Sequence, residues 1–405
     1  MSTSGTTMIG TRLRQARTAA GLTLDEVSVR LEANGHPLTK AALSKYETGK
    51  SLPRPSTLLM LARTLGVRAD FFVREPTAQV EWRAFRKHAS LTRSLQQKVQ
   101  ASVAQIVEGH VWLEETLNSR QRHRFPSPRK VATPEDAEAA ADAMRKHWKL
   151  SDGPLESVTQ TVEDNGCIAV CSSDVPPNFD GLSGWANGEF PVLVSSARPS
   201  IDRRRYNFAH ELGHLAMNCS GLSEAEEENL AHRFAAAFLV PASVAKREFG
   251  EKRRNISMEE LMLLKQKYGL SMQSWAHRAH ELGIIDAPTH NRLFAQFSAK
   301  GWRDREPVEF TGREEPVRLK LLVLRALAEG VITPSRAEEL CPGCTGEAPA
   351  MDNTTPRLSV RALRKLPPEM REEPLLQGAL VAEPDYKNDA ELTSFEAFGE
   401  HDLHV

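Results

Sequence analysis

The pentad His210-Glu211-Leu212-Gly213-His214 constrains this chain more than any other stretch. On a helix, positions i and i+4 share a face, so both imidazoles would point at one spot. Two neutral histidines at that spacing are the usual start of a catalytic zinc site. Glu211, one residue past the first histidine, falls beside such a metal rather than on it. There it can take a proton from a zinc-bound water and pass it to a leaving amine. Gly213 costs helix propensity, and a small residue there lets the helix lie close against a neighbouring element.

A catalytic zinc site takes a third protein ligand and leaves the fourth position for water. Downstream, Glu224-Ala225-Glu226-Glu227-Glu228 leads into a run that ends at Pro241, with Leu230, Phe234, Ala237 and Phe238 on one helical stripe. A helix there can pack antiparallel to the first across Asn218 to Ser223, which brings its acidic start toward the histidines. The stretches RRRYNFAHELGH and EENLAHRFAAAFLVP together resemble the ImmA/IrrE family of zinc metallopeptidases, which reads HExxH followed by E-x-x-A-N-x-F-A-A-x-L-L-x-P. The resemblance implies Zn2+ as cofactor, with Glu228 joining His210 and His214 as ligands. It also implies Glu211 as general base and a protein as substrate. His232 stands where the family has Asn, so Glu226 and His232 remain alternative third ligands.

From Ile9 to Phe72, short amphipathic helices alternate with tight turns. Ile9, Leu13 and Ala16 suit a first helix closed by Gly21. Thr23-Leu24-Asp25-Glu26 is a capped start to a second, with Val27 and Leu31 facing inward. A third runs from Thr39 to Tyr46, and Ser56 caps a fourth. The residues GLTLDEVSVRL and LTKAALSKYETGKSLPRPSTLLMLARTLGV resemble the XRE family of helix-turn-helix domains, the lambda-repressor/Cro type. In such domains the second helix of the pair lies in the major groove. The resemblance therefore assigns Thr39, Lys40, Ala41, Ser44 and Lys45 to base edges, and Thr23, Lys50 and Arg54 to phosphates. Asn34-Gly-His-Pro37 lengthens the turn between the two helices. The implied partner is a double-stranded DNA operator, bound by a homodimer.

Charge supports that placement. The 405 residues are nearly neutral, yet the first hundred carry about nine more basic than acidic side chains, the electrostatic footprint of nucleic-acid contact. From Glu372 onward the balance reverses, with about eight more acidic than basic. No apolar run approaches a membrane span, and the polar start is not a signal peptide. The five cysteines are few and irregularly placed, which fits a reducing cytoplasm. Cys341-Pro-Gly-Cys344 reads as a turn with two thiols, since half a zinc knuckle has no second pair.

The expected fold is mainly α with a small β-sheet. An all-α helix-turn-helix domain spans 8–73 and a helical connector 79–122. An α+β zincin-like metallopeptidase domain spans 130–290, a helical extension 305–345 and an acidic tail 346–405. Val80 to Glu115 has helical spacing, and Arg83-Ala-Phe-Arg-Lys87 resembles a segment found after the helix-turn-helix in chains that pair these two domains. Thr133-Pro134-Glu135-Asp136 opens a helix. Cys167 to Cys171 and Pro191 to Ser195 read as strands, forming a sheet edge on which a peptidase could lay an extended substrate. Asp180-Gly-Leu-Ser-Gly184 reads as a turn, and Arg203 to Arg205 as a solvated basic run.

The tail from Leu358 has a short helical stretch and then an acidic segment with spaced aromatics, Glu391 to Leu403, which resembles antitoxin C-termini. The expected function is a cytoplasmic DNA-binding regulator that is also a zinc endopeptidase, cleaving a repressor or antitoxin-type protein. It would thereby control stress, mobile-element or toxin-antitoxin genes. The competing readings are a non-proteolytic, ligand-sensing regulator, and an antitoxin that neutralises a toxin through its acidic tail.

Overall fold

The computed structural model describes residues 3–84, 92–120 and 122–344. Most of the Arg83–Lys87 segment and the whole acidic tail lie outside the described residues.

The chain opens with α1 (Thr3–Ala19), α2 (Leu24–Ala33), α3 (Lys40–Glu47) and α4 (Pro55–Leu65). Leu13, Val27, Leu31, Leu43, Leu61 and Phe72 form one buried core beneath them. Thr23 caps α2 in a reciprocal box with Glu26, as its sequence spacing demands. Helix α4 starts at Pro55, with Arg54 as its N-cap, two residues ahead of the cap expected at Ser56.

Helix was expected from Val80, but Val80–Ala84 is a strand, β1, and the helix α5 begins only at Arg93 and runs to Thr116. The rest of the sheet comes from β3 (Ile168–Ser172), β4 (Gly181–Ala186) and β5 (Phe190–Ser196), in the order β1-β4-β5-β3. The glycine-bearing stretch expected to be a turn is thus the strand β4. Strand β4 pairs antiparallel with both β1 and β5, while β3 and β5 are parallel. A two-stranded parallel pair joins β2 (Arg129–Lys130) to β6 (Met217–Asn218).

Helices cover both faces of the sheet. Val99, Val103, Val107 and Val111 of α5, four apart and so on one stripe, bury against Ile168, Val170, Val192 and Val194. On the other face Phe208 and Leu212 of α8 (Ile201–Ala216) share a core with Ala169 and Leu193. That core also takes α6 (Pro134–His147), α7 (Val158–Asp164) and α9 (Glu224–Leu239). It extends through α10 (Ala242–Phe249), α11 (Met258–Tyr268), α12 (Met272–Glu281) and α13 (Ala287–Ala299).

Helices α14 (Arg318–Ala328) and α15 (Pro334–Leu340) pack on Leu113 of α5 and on Leu117, which caps its end. Cys341 and Cys344 follow in the turn expected there, their Cα atoms 5.3 Å apart and their sulfurs brought together. No helix among the described residues is long and apolar enough to cross a membrane.

Of the basic run on α8, Arg203 is exposed as expected, but Arg204 and Arg205 are buried. Arg205 is fully buried beside Glu314, also fully buried. Glu314 in turn accepts from the N–H groups of Val158 (2.9 Å) and Thr159 (2.8 Å) at the start of α7. A carboxylate on a helix N-terminus satisfies donors that the helix leaves unpaired. Arg204 pairs with Glu315. These partners pin the segment before α14 against the helix that carries the histidines.

Candidate metal centre

Helices α8 and α9 lie antiparallel: His214 meets Glu227 and Glu228, His210 meets Glu228, and Tyr206 meets His232. Gly213 allows the close approach, since a Cβ there would stand 2.9 Å from Cδ1 of Phe234. The crossing brings three donor atoms together. His210 Nε2 and His214 Nε2 are 3.1 Å apart. Glu228 places one oxygen 3.6 Å from the first and the other 3.4 Å from the second.

Zinc bonds of the usual length in a tetrahedral array set ligand atoms about 3.3 Å apart. The observed spacings scatter around that value, and the donor set of two imidazoles and one carboxylate is one zinc accepts. Among the described residues this is the one group of three such side chains with donor atoms within 4.8 Å of one another.

Glu226 is engaged elsewhere. Its carboxylate accepts from the backbone N–H (2.8 Å) and hydroxyl (2.6 Å) of Ser223 in a capping box that starts α9. His232 stands beside the cluster, its ring centroid 4.5 Å from that of His210, with Nδ1 facing the Tyr206 hydroxyl at 3.2 Å. Its nitrogens fall outside the group of three.

Sequence reasoning missed Glu227. Its Oε1 lies 3.2 Å from His214 Nδ1. A carboxylate only accepts, so Nδ1–H donates and the Nε2 lone pair is left to face the cluster. The same hydrogen bond holds the Glu227 carboxyl below its ordinary range, against the opposing effect of burial. His210 Nδ1 is buried with no hydrogen-bond partner among the described residues, and the rings of Tyr206 and His232 pack against that side chain instead.

Glu211 is 2 % exposed and turns toward the start of β4. A Cβ built on Gly181 would stand 2.5 Å from Glu211 Oε1. A cavity of about 720 Å³ opens over His210, with Tyr206, Asn207 and His232 on one side and residues 303–306, 308 and 309 on the other. That second wall was not anticipated. Glu306 anchors it by accepting from Met272 N–H (3.0 Å) and Gln273 N–H (3.1 Å) at the start of α12. Asp180 at the cavity rim pairs with the exposed Arg203 at 3.2 Å.

In the N-terminal helices, Lys40, Ala41 and Lys45 project to solvent from α3, and Ser44 is half-buried. Thr39 is the N-cap of α3 and accepts from Ala42 N–H. Thr23 is occupied by its capping box, and Lys50 is exposed in the turn after α3. Lys40 pairs with Asp25 at 2.6 Å, both well exposed.

The sequence pattern of the helix-turn-helix family HTH_31 matches residues 9–70, and that of Peptidase_M78, the IrrE N-terminal-like domain, matches residues 168–280. Both resemblances drawn from the motifs are borne out: the chain carries a helix-turn-helix domain followed by an IrrE-like domain. No curated protein matches the chain. Among solved structures, a Mycobacterium tuberculosis transcriptional regulator is similar at 18% identity with a TM-score of 0.26, over 43% of this chain and 51% of that one. The match thus spans about half of that protein's length.

Proposed function

We propose that this chain is a DNA-binding regulator whose IrrE-like domain is a zinc-dependent endopeptidase. The observation that supports this most directly is the convergence of His210, His214 and Glu228 at spacings that suit one small tetrahedral cation. Bound there, Zn2+ would supply Lewis acidity, polarising a peptide carbonyl and acidifying water.

The chain's own residues do the rest. Glu227 keeps His214 in one tautomer, with Nε2 ready to ligate. Glu211 sits one residue from a ligand, in a dry pocket against Gly181, where its carboxylate can hold a proton and hand it to the departing amine. The cavity above His210 is large enough for several residues of a polypeptide. The substrate proposed is a repressor or antitoxin-type protein. The helix-turn-helix domain, paired with a second copy, would hold the chain at a two-fold operator through Thr39, Lys40, Ala41, Ser44 and Lys45.

Zinc content of the purified chain tests the reading. Wild type should bind one equivalent, His210→Ala and Glu228→Ala should lose it, and Glu211→Gln should keep zinc while losing cleavage of a co-incubated repressor-like protein. A wild-type chain that takes up no zinc after reconstitution, or a Glu211→Gln variant that still cuts, overturns it.

A further inference from the structure

Resting on the peptidase reading above, we propose that the outer edge of β4 is where a peptide substrate pairs, and that the chain's own strand β1 occupies that edge as an internal competitor.

The sheet has one edge next to Glu211. Helix α8 packs across β4 and β5, and the Glu211 carboxylate touches Gly181 at the start of β4. Without β1, strand β4 would present its unpaired N–H and C=O groups there, and an extended peptide adding to it would run past Glu211.

Strand β1 already takes that course. It is antiparallel to β4, with Val80 opposite Ala186, Trp82 opposite Gly184 and Ala84 opposite Ser183. Its end therefore comes within two residues of the position facing Gly181. Gly184 makes room for it: a Cβ there would stand 2.5 Å from Glu81 O and 3.0 Å from Trp82 Cε3. Arg83 Nη1 reaches Met217 O at 3.5 Å, at the end of α8.

The strand is tied at its start, where Gln79 and Thr77 exchange hydrogen bonds with Asn187, and is held more lightly toward Glu211. Its register shifts between Trp82 and Ala84, Val80 and Trp82 are only partly buried, and Glu81 and Arg83 are exposed. Two half-buried anchors on a bulged edge strand of five residues are a small barrier to exchange for a better-fitting peptide. The slot over Gly184 defines the substrate class: an extended segment that presents a bulky aromatic side chain to the α5 face of the sheet, followed by a small residue opposite Ser183.

The test uses the full chain, free of metal, and a fluorescent peptide with the sequence of residues 78–84. Trp82→Ala should loosen β1, so β4 amides exchange hydrogen faster than in wild type. The peptide should bind that variant at least about tenfold more tightly and protect the same amides again. Adding Gly184→Val should abolish binding. Equal affinity for wild type and Trp82→Ala, unchanged β4 exchange, or binding indifferent to Gly184→Val overturns the proposal.

If the double variant fails to fold, re-protection of β4 amides in Trp82→Ala decides alone. Peptide binding needs no zinc, so a chain that binds peptide but takes up no metal sinks the peptidase reading and not this one. Zinc-dependent cleavage with no peptide at the β4 edge does the reverse.

Discussion

Glu211 lies so close to the backbone of Gly181 that a methyl group on that glycine would stand 2.5 Å from Oε1. The proposed base is therefore positioned by the absence of a side chain on the facing strand. Gly181→Ala should push the carboxylate away without touching a metal-binding residue. A displacement near an ångström costs on the order of a hundredfold in rate when geometry is critical. Turnover should fall by about that factor while zinc content stays at the wild-type level. Normal turnover in a zinc-replete Gly181→Ala chain would show that Glu211 needs no such placement.

The hydrogen bond from His214 to Glu227 separates three adjacent glutamates by role. Removing a carboxylate that orients a ligating histidine typically weakens metal binding about 10- to 100-fold. Glu227→Ala should do so, measured by competition with a chelator. Glu226→Ala should leave zinc affinity unchanged and lower only the thermal stability, because its carboxylate serves the start of α9. Zinc loss in Glu226→Ala greater than in Glu227→Ala would reverse the assignment.

The histidine pair was legible because i and i+4 on a helix must converge whatever surrounds them. Glu226 could also have been set aside from the sequence, since Ser223-Glu224-Ala225-Glu226 is a capping box. The strand β4 was misread because Gly181 and Gly184 look like turn punctuation. Inside a strand, glycine marks a close approach instead, here of Glu211 at one position and of β1 at the other. Arg204 and Arg205 looked like a solvated run because their partners Glu314 and Glu315 lie more than a hundred residues away. No local pattern carries such pairings. The same holds for β1, whose strand character depends on β4.

Helix α1 is tied to α5 by Arg12, which is 1 % exposed and makes two hydrogen bonds to Glu108, one of them 2.7 Å long. Glu108 also accepts from Thr77. Removing one partner of a buried pair leaves the other charge uncompensated, at a cost of about 3–5 kcal/mol. Glu108→Ala should destabilise the packing of the helix-turn-helix domain on α5 by that order, seen as earlier proteolysis or faster hydrogen exchange in α1. An unchanged α1 would mean that the apolar contacts suffice.

The exposed Lys50 in the turn after α3 and the half-buried Ser44 on α3 face different tests. Lys50→Ala should weaken DNA binding about equally on all sequences and reduce the salt slope by about 1, as expected of a phosphate contact. Ser44→Ala should relax preference at one base position with little change in salt dependence. Fluorescence anisotropy on a selected operator and its single-base variants reads both. A Lys50→Ala variant that alters base preference would move that residue from the backbone to a base edge.

Glu163 makes stability depend on pH through the docking of α14. Its carboxylate accepts from the N–H groups of Val317 and Arg318, each at 3.1 Å, just where that helix begins. Burial nevertheless pushes its pKa up to about 7, outweighing both hydrogen bonds. Unfolded, the group releases its proton near the ordinary value of 4.5. Between those values the folded chain holds more protons than the unfolded one, so stability falls as pH rises. The stabilisation is fully present below the unfolded value and is lost through the folded one, a change of about 3 kcal/mol. Metal-free wild type should therefore lose urea resistance between pH 5 and 8, and Glu163→Gln should flatten that slope because its amide keeps an acceptor oxygen but does not ionise. An equally steep slope in Glu163→Gln would place the titrating group elsewhere.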